Sequence, residues 1–315
     1  MHNHSDQQPI FETRAKGKLL LSGEYFVLDG AWALALPVRF GQALHVEADK
    51  EPNRLFWTSR NHEGNPWFLA EFECGSLDLV SATDARVGEN LRNILRACRR
   101  QNPQFLPAGQ GFKALIHTDF PGAWGLGTSS TLIAALAAWA GADPYQLLFD
   151  TMGGSGYDIA CAYAEGPILY RLAQQKPEVR PVAFQPAFAE QLFFVYLGKK
   201  QDSREGIRRY RERAPALGET LRQVSDLAQA MLQAPDLQAF EGLLRLHEQH
   251  VGAALELPLV QAQYFPDYWG AVKSLGAWGG DFVLATSAKS HGETRQYFHD
   301  KGFDTVLGWG EMVRR

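Results

Sequence analysis

The 315-residue chain is predicted to be an α+β protein of two compact domains, and three observations lead there. Short β-like runs mix with helical patterns through the first half, and the stretch Gln175 to Pro186, rich in proline and polar residues, then interrupts them. The second half opens on a buried-strand pattern and continues with three helical ones, an order that suggests a small sheet covered by helices. The interruption reads as a crossing between domains with the boundary near residue 180, giving segments 11–180 and 181–315.

In chain order, Lys18 to Leu21, Gln42 to Ala48, Leu55 to Thr58, Trp67 to Phe72 and Phe112 to His117 carry strand patterns. Between the last two lies a helix, because Val87, Leu91, Ile94, Leu95 and Cys98 place an apolar stripe on one face while Arg92, Arg96 and Arg99 face water. Further helices are expected over Ser129 to Ala140 and Pro144 to Asp150. After the apolar run Pro167 to Tyr170 and the crossing, Leu192 to Gly198 reads as a buried strand. Three helical patterns then fill Ser203 to Leu255, and strands at Phe282 to Thr286 and Asp304 to Leu307 bracket one more helix.

Composition narrows the function classes. With 45% hydrophobic and 21% charged residues, the chain can form a globular core, and at this length roughly 75% of the unfolded surface can be buried without disulfides or structural metal. The 31 basic and 35 acidic side chains leave a net charge of −4, which argues against a general affinity for nucleic acid or an anionic membrane. Cys74, Cys98 and Cys161 are odd in number and lack C-x-x-C spacing, so a reducing cytoplasm fits best. The polar start MHNHSDQQP is no secretory signal, and the small-apolar stretch Leu132 to Ala142 falls far short of the ~20 residues a membrane span needs.

The strongest chemical signal is PGAWGLGTSSTLIAALAAWAG, Pro121 to Gly141, which follows a strand and runs into an alanine-rich helix. Gly125 and Gly127 let backbone N–H groups approach an anion, while Thr128, Ser129 and Ser130 can cap the helix and donate hydrogen bonds. Neither a Walker A lysine nor G-x-G-x-x-G spacing is present. Taken alone the segment has two readings, a phosphate cradle or a glycine turn with hydroxyl capping.

Two further segments, AKGKLLLSGEYFVLDG (Ala15 to Gly30) and KSLGAWGGDFVLATSA (Lys273 to Ala288), join it in a resemblance to the GHMP kinase family. The family's opening motif is matched by Gly17, Lys18, Leu21, Gly23 and Glu24. Its phosphate loop is matched by Gly125, Leu126, Gly127, Thr128 and Ser129, and its late glycine loop by Gly276, Ala277, Gly279 and Gly280. A fourth segment, GGSGYDIA (Gly153 to Ala160), is similar to the family's S-G-x-D element and most closely resembles a bacterial GYDIA-type branch. Among the founding enzymes, those acting on mevalonate and phosphomevalonate look nearest.

The resemblance implies an N-terminal domain like ribosomal S5 domain 2 and a ferredoxin-like C-terminal domain, with ATP and Mg²⁺ as cofactors and ATP meeting its acceptor between the domains. It implies that Gly125 to Ser130 hold the ATP phosphates, Ser129 helps coordinate Mg²⁺, and Gly276 to Gly280 close over the reacting end. Asp158 becomes the expected base and Lys18 the group that orients and stabilises the acceptor oxygen. Without the resemblance, Asp158 reads as a turn residue and Lys18 as a surface lysine. Glu24, Tyr25, Lys199, Ser203 and Arg204 are the substrate-contact candidates. The last three fall in the basic run Lys199 to Arg213, whose other reading is a solvated helix face.

The implied activity is ATP-dependent phosphorylation of mevalonate. Alternatives are phosphomevalonate, a sugar or homoserine as acceptor, or nucleotide binding without turnover. The expected assembly is a monomer or homodimer, with no nucleic-acid or membrane partner. Several positions depart from the family pattern. Lys16, Tyr25, Trp124, Trp278 and Asp281 stand where other residues are usual, Ser129 and Asp158 are only 29 positions apart, and the acidic Mg²⁺ ligand has no obvious match. Asp143 and Asp150 are the carboxylates between those two sites, and Asp143 before Pro144 reads more simply as a helix cap. His247 and His250 are expected on a helix surface.

Overall fold

A computed structural model describes residues 9–199, 203–216, 218–276, 278 and 280–313, with the side chains of 203, 204 and 215 outside that description. Chain order runs β1 (Phe11–Leu20), β2 (Ala33–Asp49), β3 (Arg54–Arg60), β4 (Pro66–Glu73), β5 (Leu79–Ala82), α1 (Ala85–Gln101), β6 (Gly111–Thr118), α2 (Thr128–Ala140), α3 (Pro144–Thr151) and α4 (Tyr157–Tyr163). It continues through β7 (Ile168–Ala173), β8 (Lys176–Pro181), β9 (Leu192–Tyr196), α5 (Ser203–Arg213), α6 (Gly218–Leu232), α7 (Leu237–Leu255), α8 (Val260–Tyr264), β10 (Val272–Ser274), β11 (Phe282–Thr286), α9 (His291–Asp300), β12 (Val306–Gly308) and α10 (Trp309–Met312).

Two compact packing units result. One holds the described residues up to Gly17 with Phe40–Gly122 and Gly127–Tyr163; the other holds Lys18–Arg39, Ala123–Leu126 and the chain from Ala164 onward. These units interleave in sequence, so they differ from a division by sequence order into 11–180 and 181–315. The phosphate-loop segment itself changes units between Leu126 and Gly127.

In the first unit, β5, β4, β3, β6 and β2 lie in that order, with β3 parallel to β6 and the other neighbours antiparallel. Alternation along β3 buries Leu55, Trp57 and Ser59. These strands and α1 to α4 share a core that includes Val46, Trp57, Phe72, Ile94, Leu95, Leu136 and Ile159. The stripe expected on α1 is buried at Leu91, Ile94, Leu95 and Cys98. Helix α2 is nearly all small and apolar because it is buried along most of its length.

The second unit contains the antiparallel sheet β10-β11-β9-β12. Beside it, Ala33–Ala35 at the start of β2 pair with β7, which pairs with β8. One apolar cluster joins Phe193, Val195, Phe265, Val283 and Phe298; another joins Tyr25, Phe26, Tyr210, Val224, Val251 and Trp278.

The proline-rich crossing is corrected here. Its first part is strand β8, hairpinned to β7 through Gln174 and Gln175 at φ 50° and 64°. Proline is tolerated because β8 is an edge strand, where Pro177 and Pro181 remove no interior ladder bond.

Candidate active site

The phosphate-loop segment is built by residues far apart in sequence. In the second unit, the Tyr196 hydroxyl donates to the Ala123 carbonyl at 3.1 Å, and the Trp124 ring meets Phe282 edge-on at 5.6 Å. Lys18 then holds the next two residues. Its Nζ donates to the Gly125 carbonyl at 2.9 Å and its backbone N–H to the Leu126 carbonyl at 3.0 Å. Gly125 has φ 67°, a conformation that favours glycine, and a Cβ there would meet the Asp281 carboxylate, which would have to move.

In the first unit, Gly127 occupies the N-cap of α2 with φ 93° and provides no side-chain cap. The expectation that Thr128, Ser129 or Ser130 caps the helix is therefore corrected, since all three lie inside its first turn. The Ser130 hydroxyl donates to the Gly127 carbonyl at 2.9 Å and is buried, so only its backbone is suited to an outside anion. Ser129 is exposed and Thr128 half-buried. The opening amides of an α-helix have no acceptor within the helix, and its dipole favours negative charge there. A glycine at the cap leaves that end open.

GYDIA forms a short helix rather than a turn. Gly153, Gly154 and Gly156 have φ of 70°, 109° and 86°, which turn the chain sharply into α4. Asp158 lies in its first turn, and its Oδ1 accepts from the Ile159 N–H at 3.0 Å. Helix α4 packs on α2, and the Tyr163 hydroxyl donates to the Ala134 carbonyl at 2.8 Å. Asp158 and Ser129 thus belong to one unit, on contacting helices. Lys18, Gly125 and Asp281 belong together in the other.

The late loop follows β10. The Leu275 N–H donates to the Phe282 carbonyl at 3.1 Å, and Gly276 has φ 70°. Ala277 and Gly279 lie outside the described residues. The Trp278 N–H donates to the Tyr25 hydroxyl at 3.0 Å, and its indole N–H donates to the Pro258 carbonyl at 3.1 Å. Beyond Gly280, Asp281 has φ 52°. Its N–H donates to the Lys199 carbonyl and its carbonyl accepts from the Leu197 N–H, both at 2.8 Å.

Beneath these loops lies a buried charged cluster. Lys273 Nζ donates to Glu24 Oε1 at 2.5 Å and to the Ser274 carbonyl at 2.7 Å. His247 Nε2 accepts from the Gly23 N–H at 2.9 Å and lies 3.3 Å from Glu24 Oε2. Glu248 Oε1 accepts from the Ser274 N–H at 2.8 Å. Burial drives the His247 pKa well below its ordinary value, helped by Lys273, so the ring is neutral with its proton on Nδ1. Burial raises Glu24 against the opposing pull of Lys273, and pushes Glu248 up to about 8.

This arrangement corrects three expectations. Glu24 is 1% exposed and committed to Lys273, which leaves it no surface to offer a substrate. Tyr25 is also buried, stacked with Tyr210 at 6.2 Å, and a Cβ on Gly206 would overlap its ring and hydroxyl. His247 is in the core rather than on the helix surface. Lys273 and Glu248, which sequence reasoning did not single out, complete the cluster. The signals were present: Lys273 opens the segment that carries the late glycine loop, and His247 and Glu248 continue the stripe of Phe240, Leu244 and Val251 at steps of three and four.

Three of the seven basic residues of the run are paired with carboxylates among the described residues. Arg208 pairs with Glu205 and Glu212, Arg211 with Asp29, and Arg213 with Glu256, which favours the solvated-face reading. The Lys199 ammonium is 3.3 Å from the Tyr264 hydroxyl. The side chains of Ser203 and Arg204 lie outside the described residues. Among the described residues, no group of three or more His, Cys, Asp or Glu is placed to hold a metal, and no helix is long and apolar enough to cross a membrane.

With the fold and this geometry in view, the class is defined: the chain has the GHMP kinase fold. It is similar to the Methanococcus jannaschii mevalonate kinase at TM-score 0.71 and 12% identity, covering 99% of this chain and 100% of that one. It is also similar to a Streptococcus pneumoniae phosphomevalonate kinase in complex with phosphomevalonate and AMPPNP, at TM-score 0.66 and 15% identity over 95% of this chain and 100% of that one. A Lactococcus lactis galactokinase complexed with galactose matches at TM-score 0.62 and 14% identity, over 96% of this chain and 95% of that one. No protein-family model matches the sequence, and no curated protein matches it.

Proposed function

We propose that this protein is an ATP-dependent small-molecule kinase of the GHMP family, with the alcohol of mevalonate as its acceptor. The observation that carries the reading is the glycine-led, uncapped start of α2 within a GHMP kinase fold. Backbone N–H groups over Gly125 to Ser130 would cradle the ATP phosphates, where glycines allow close approach and the helix dipole favours the charge. The exposed Ser129 hydroxyl at that helix start suits Mg²⁺, an oxygen-seeking cation that offsets charge on the transferring phosphoryl group. Lys18 carries out two tasks in this reading. It fixes the loop through the Gly125 carbonyl and stabilises negative charge on the acceptor oxygen.

Asp158 would take the acceptor's proton, a step an alcohol needs because it is barely ionised at neutral pH. A phosphomonoester acceptor, already anionic, needs that help less. This distinction leans toward mevalonate over phosphomevalonate. Gly276 to Gly280 would complete the nucleotide side. The buried cysteines, none in a disulfide, suit a reducing cytoplasm.

The test is product formation from Mg·ATP with mevalonate, phosphomevalonate, homoserine and sugars in parallel. Phosphorylated mevalonate is expected to dominate. Asp158→Asn should lower kcat by about 10²-fold or more while leaving ATP affinity nearly intact. Turnover of another acceptor would replace mevalonate, and equal turnover by the variant would remove Asp158 as base.

A further inference from the structure

Three residues that suit their places poorly meet at one point in the second packing unit. Tyr25 has φ 64°, a left-handed conformation uncommon for anything but glycine. Gly206 lies inside helix α5, where only proline is a poorer helix former. Trp278 puts a large ring among the glycines of the late loop. The Tyr25 hydroxyl accepts the Trp278 backbone N–H at 3.0 Å, and Gly206 makes room for that hydroxyl, since a Cβ there would overlap it. Such departures from local preference persist only where surrounding structure fixes them, and they gather at functional sites. We propose that Tyr25 is a positioning residue for the nucleotide: its hydroxyl fixes the middle of the late glycine loop in a shape ready for ATP, a role that rests on the kinase reading above.

Tyr25 is 7% exposed and acts through Trp278 rather than on substrate. Both partners are themselves held. The Tyr25 ring stacks on Tyr210 at 6.2 Å, and Trp278, 6% exposed, joins the two in one apolar cluster. The Trp278 indole N–H donates to the Pro258 carbonyl at 3.1 Å, so ring, indole and backbone amide all tie this residue down. Gly276 before it, at φ 70°, has the conformational freedom of glycine. A free loop must give up such freedom when a ligand orders it, and a loop fixed beforehand gives up less. Loss of the bond between Tyr25 and Trp278 is therefore felt in nucleotide affinity. Phenylalanine isolates that bond, because the ring keeps its stacking while the buried Trp278 N–H loses its acceptor.

The experiment uses the full chain labelled with 5-fluorotryptophan, a non-hydrolysable ATP analogue with Mg²⁺, and the variants Tyr25→Phe, Gly206→Ala and their combination, each checked by a melting curve. Calorimetry reads analogue affinity, and fluorine NMR reads the Trp278 resonance, identified by its loss in Trp278→Phe. Tyr25→Phe should weaken analogue binding by roughly fivefold, the loss of one hydrogen bond. Its Trp278 resonance should shift in the free protein and move back toward the parent position when the analogue saturates. A merely structural tyrosine would lower the melting temperature and move neither. Gly206→Ala displaces the hydroxyl from the other side, so the double variant should bind little worse than Tyr25→Phe alone. Unchanged analogue affinity in Tyr25→Phe overturns the positioning role and leaves the kinase reading intact. Losses that multiply in the double variant overturn that role as well, because the two residues then act separately. Failure of the unaltered protein to bind the analogue overturns both the positioning role and the kinase reading.

Discussion

Glu248→Gln should make the protein more stable at pH 8 and abolish much of its loss of stability with rising pH. The Glu248 carboxyl is 3% exposed, takes the Ser274 N–H on one oxygen, and has no partner for the other among the described residues. Burial holds its pKa at about 8, against an ordinary value of 4.5. The folded protein therefore keeps this proton over a range in which the unfolded chain has released it. The associated stability is fully present below pH 4.5 and is lost as pH rises toward 8. Across pH 5 to 8, at about 1.4 kcal/mol per unit, the ceiling is about 4 kcal/mol. Glutamine keeps the acceptor for Ser274 and carries no charge at any pH. His247, whose pKa is lowered, acts in the opposite sense, favouring stability as pH rises through its unfolded value of 6.5. Its contribution is common to both proteins, so the diagnostic quantity is the difference between variant and parent. Denaturant unfolding at pH 5 and pH 8, with hydrogen exchange of the α7 amides to locate the effect, measures it. Parallel pH slopes for the two proteins would refute a neutral, buried Glu248.

Two other substitutions probe the same framework. Lys273→Met should destabilise by about 3–5 kcal/mol, because it leaves the Glu24 carboxylate buried without its ammonium, whereas adding Glu24→Gln should recover much of the loss. Urea midpoints of both variants check this, and a single-variant loss below about 1 kcal/mol would show the pair to be more solvated than its burial implies. Gly125→Ala should weaken nucleotide binding, since the methyl group meets Asp281 and the left-handed backbone costs a further ~1–2 kcal/mol. Calorimetric titration with nucleotide would reveal it, and undiminished affinity would remove Gly125 from the phosphate site.

What the sequence made legible was local. The stripe on α1, the alternation along β3 and the Pro144 start of α3 each depend on neighbours within a few residues, and each element formed where its pattern lay. Prolines 177 and 181 misled because the same residues suit a linker and an edge strand, and only the pairing of β8 with β7 distinguishes the two. The candidate site divides the same way. Gly125, Gly127 and Ser129 lie in one short segment whose likeness to a family motif singles them out. By contrast, Glu24 reads as a substrate-contact candidate until Lys273, 249 positions away, is folded against it.

The cap of α2 marks the limit of such reading. Three consecutive hydroxyl residues are the expected capping material, but Gly127 takes the cap and the Ser130 hydroxyl turns back onto its carbonyl. A side-chain cap would have occupied the amides an anion needs. The residues that look most like a self-satisfied helix start are thus arranged to leave it open, and the stability forgone there is offset by the packing of α2 in the core. Those compensating contacts come from remote parts of the chain, where composition and periodicity carry no signal.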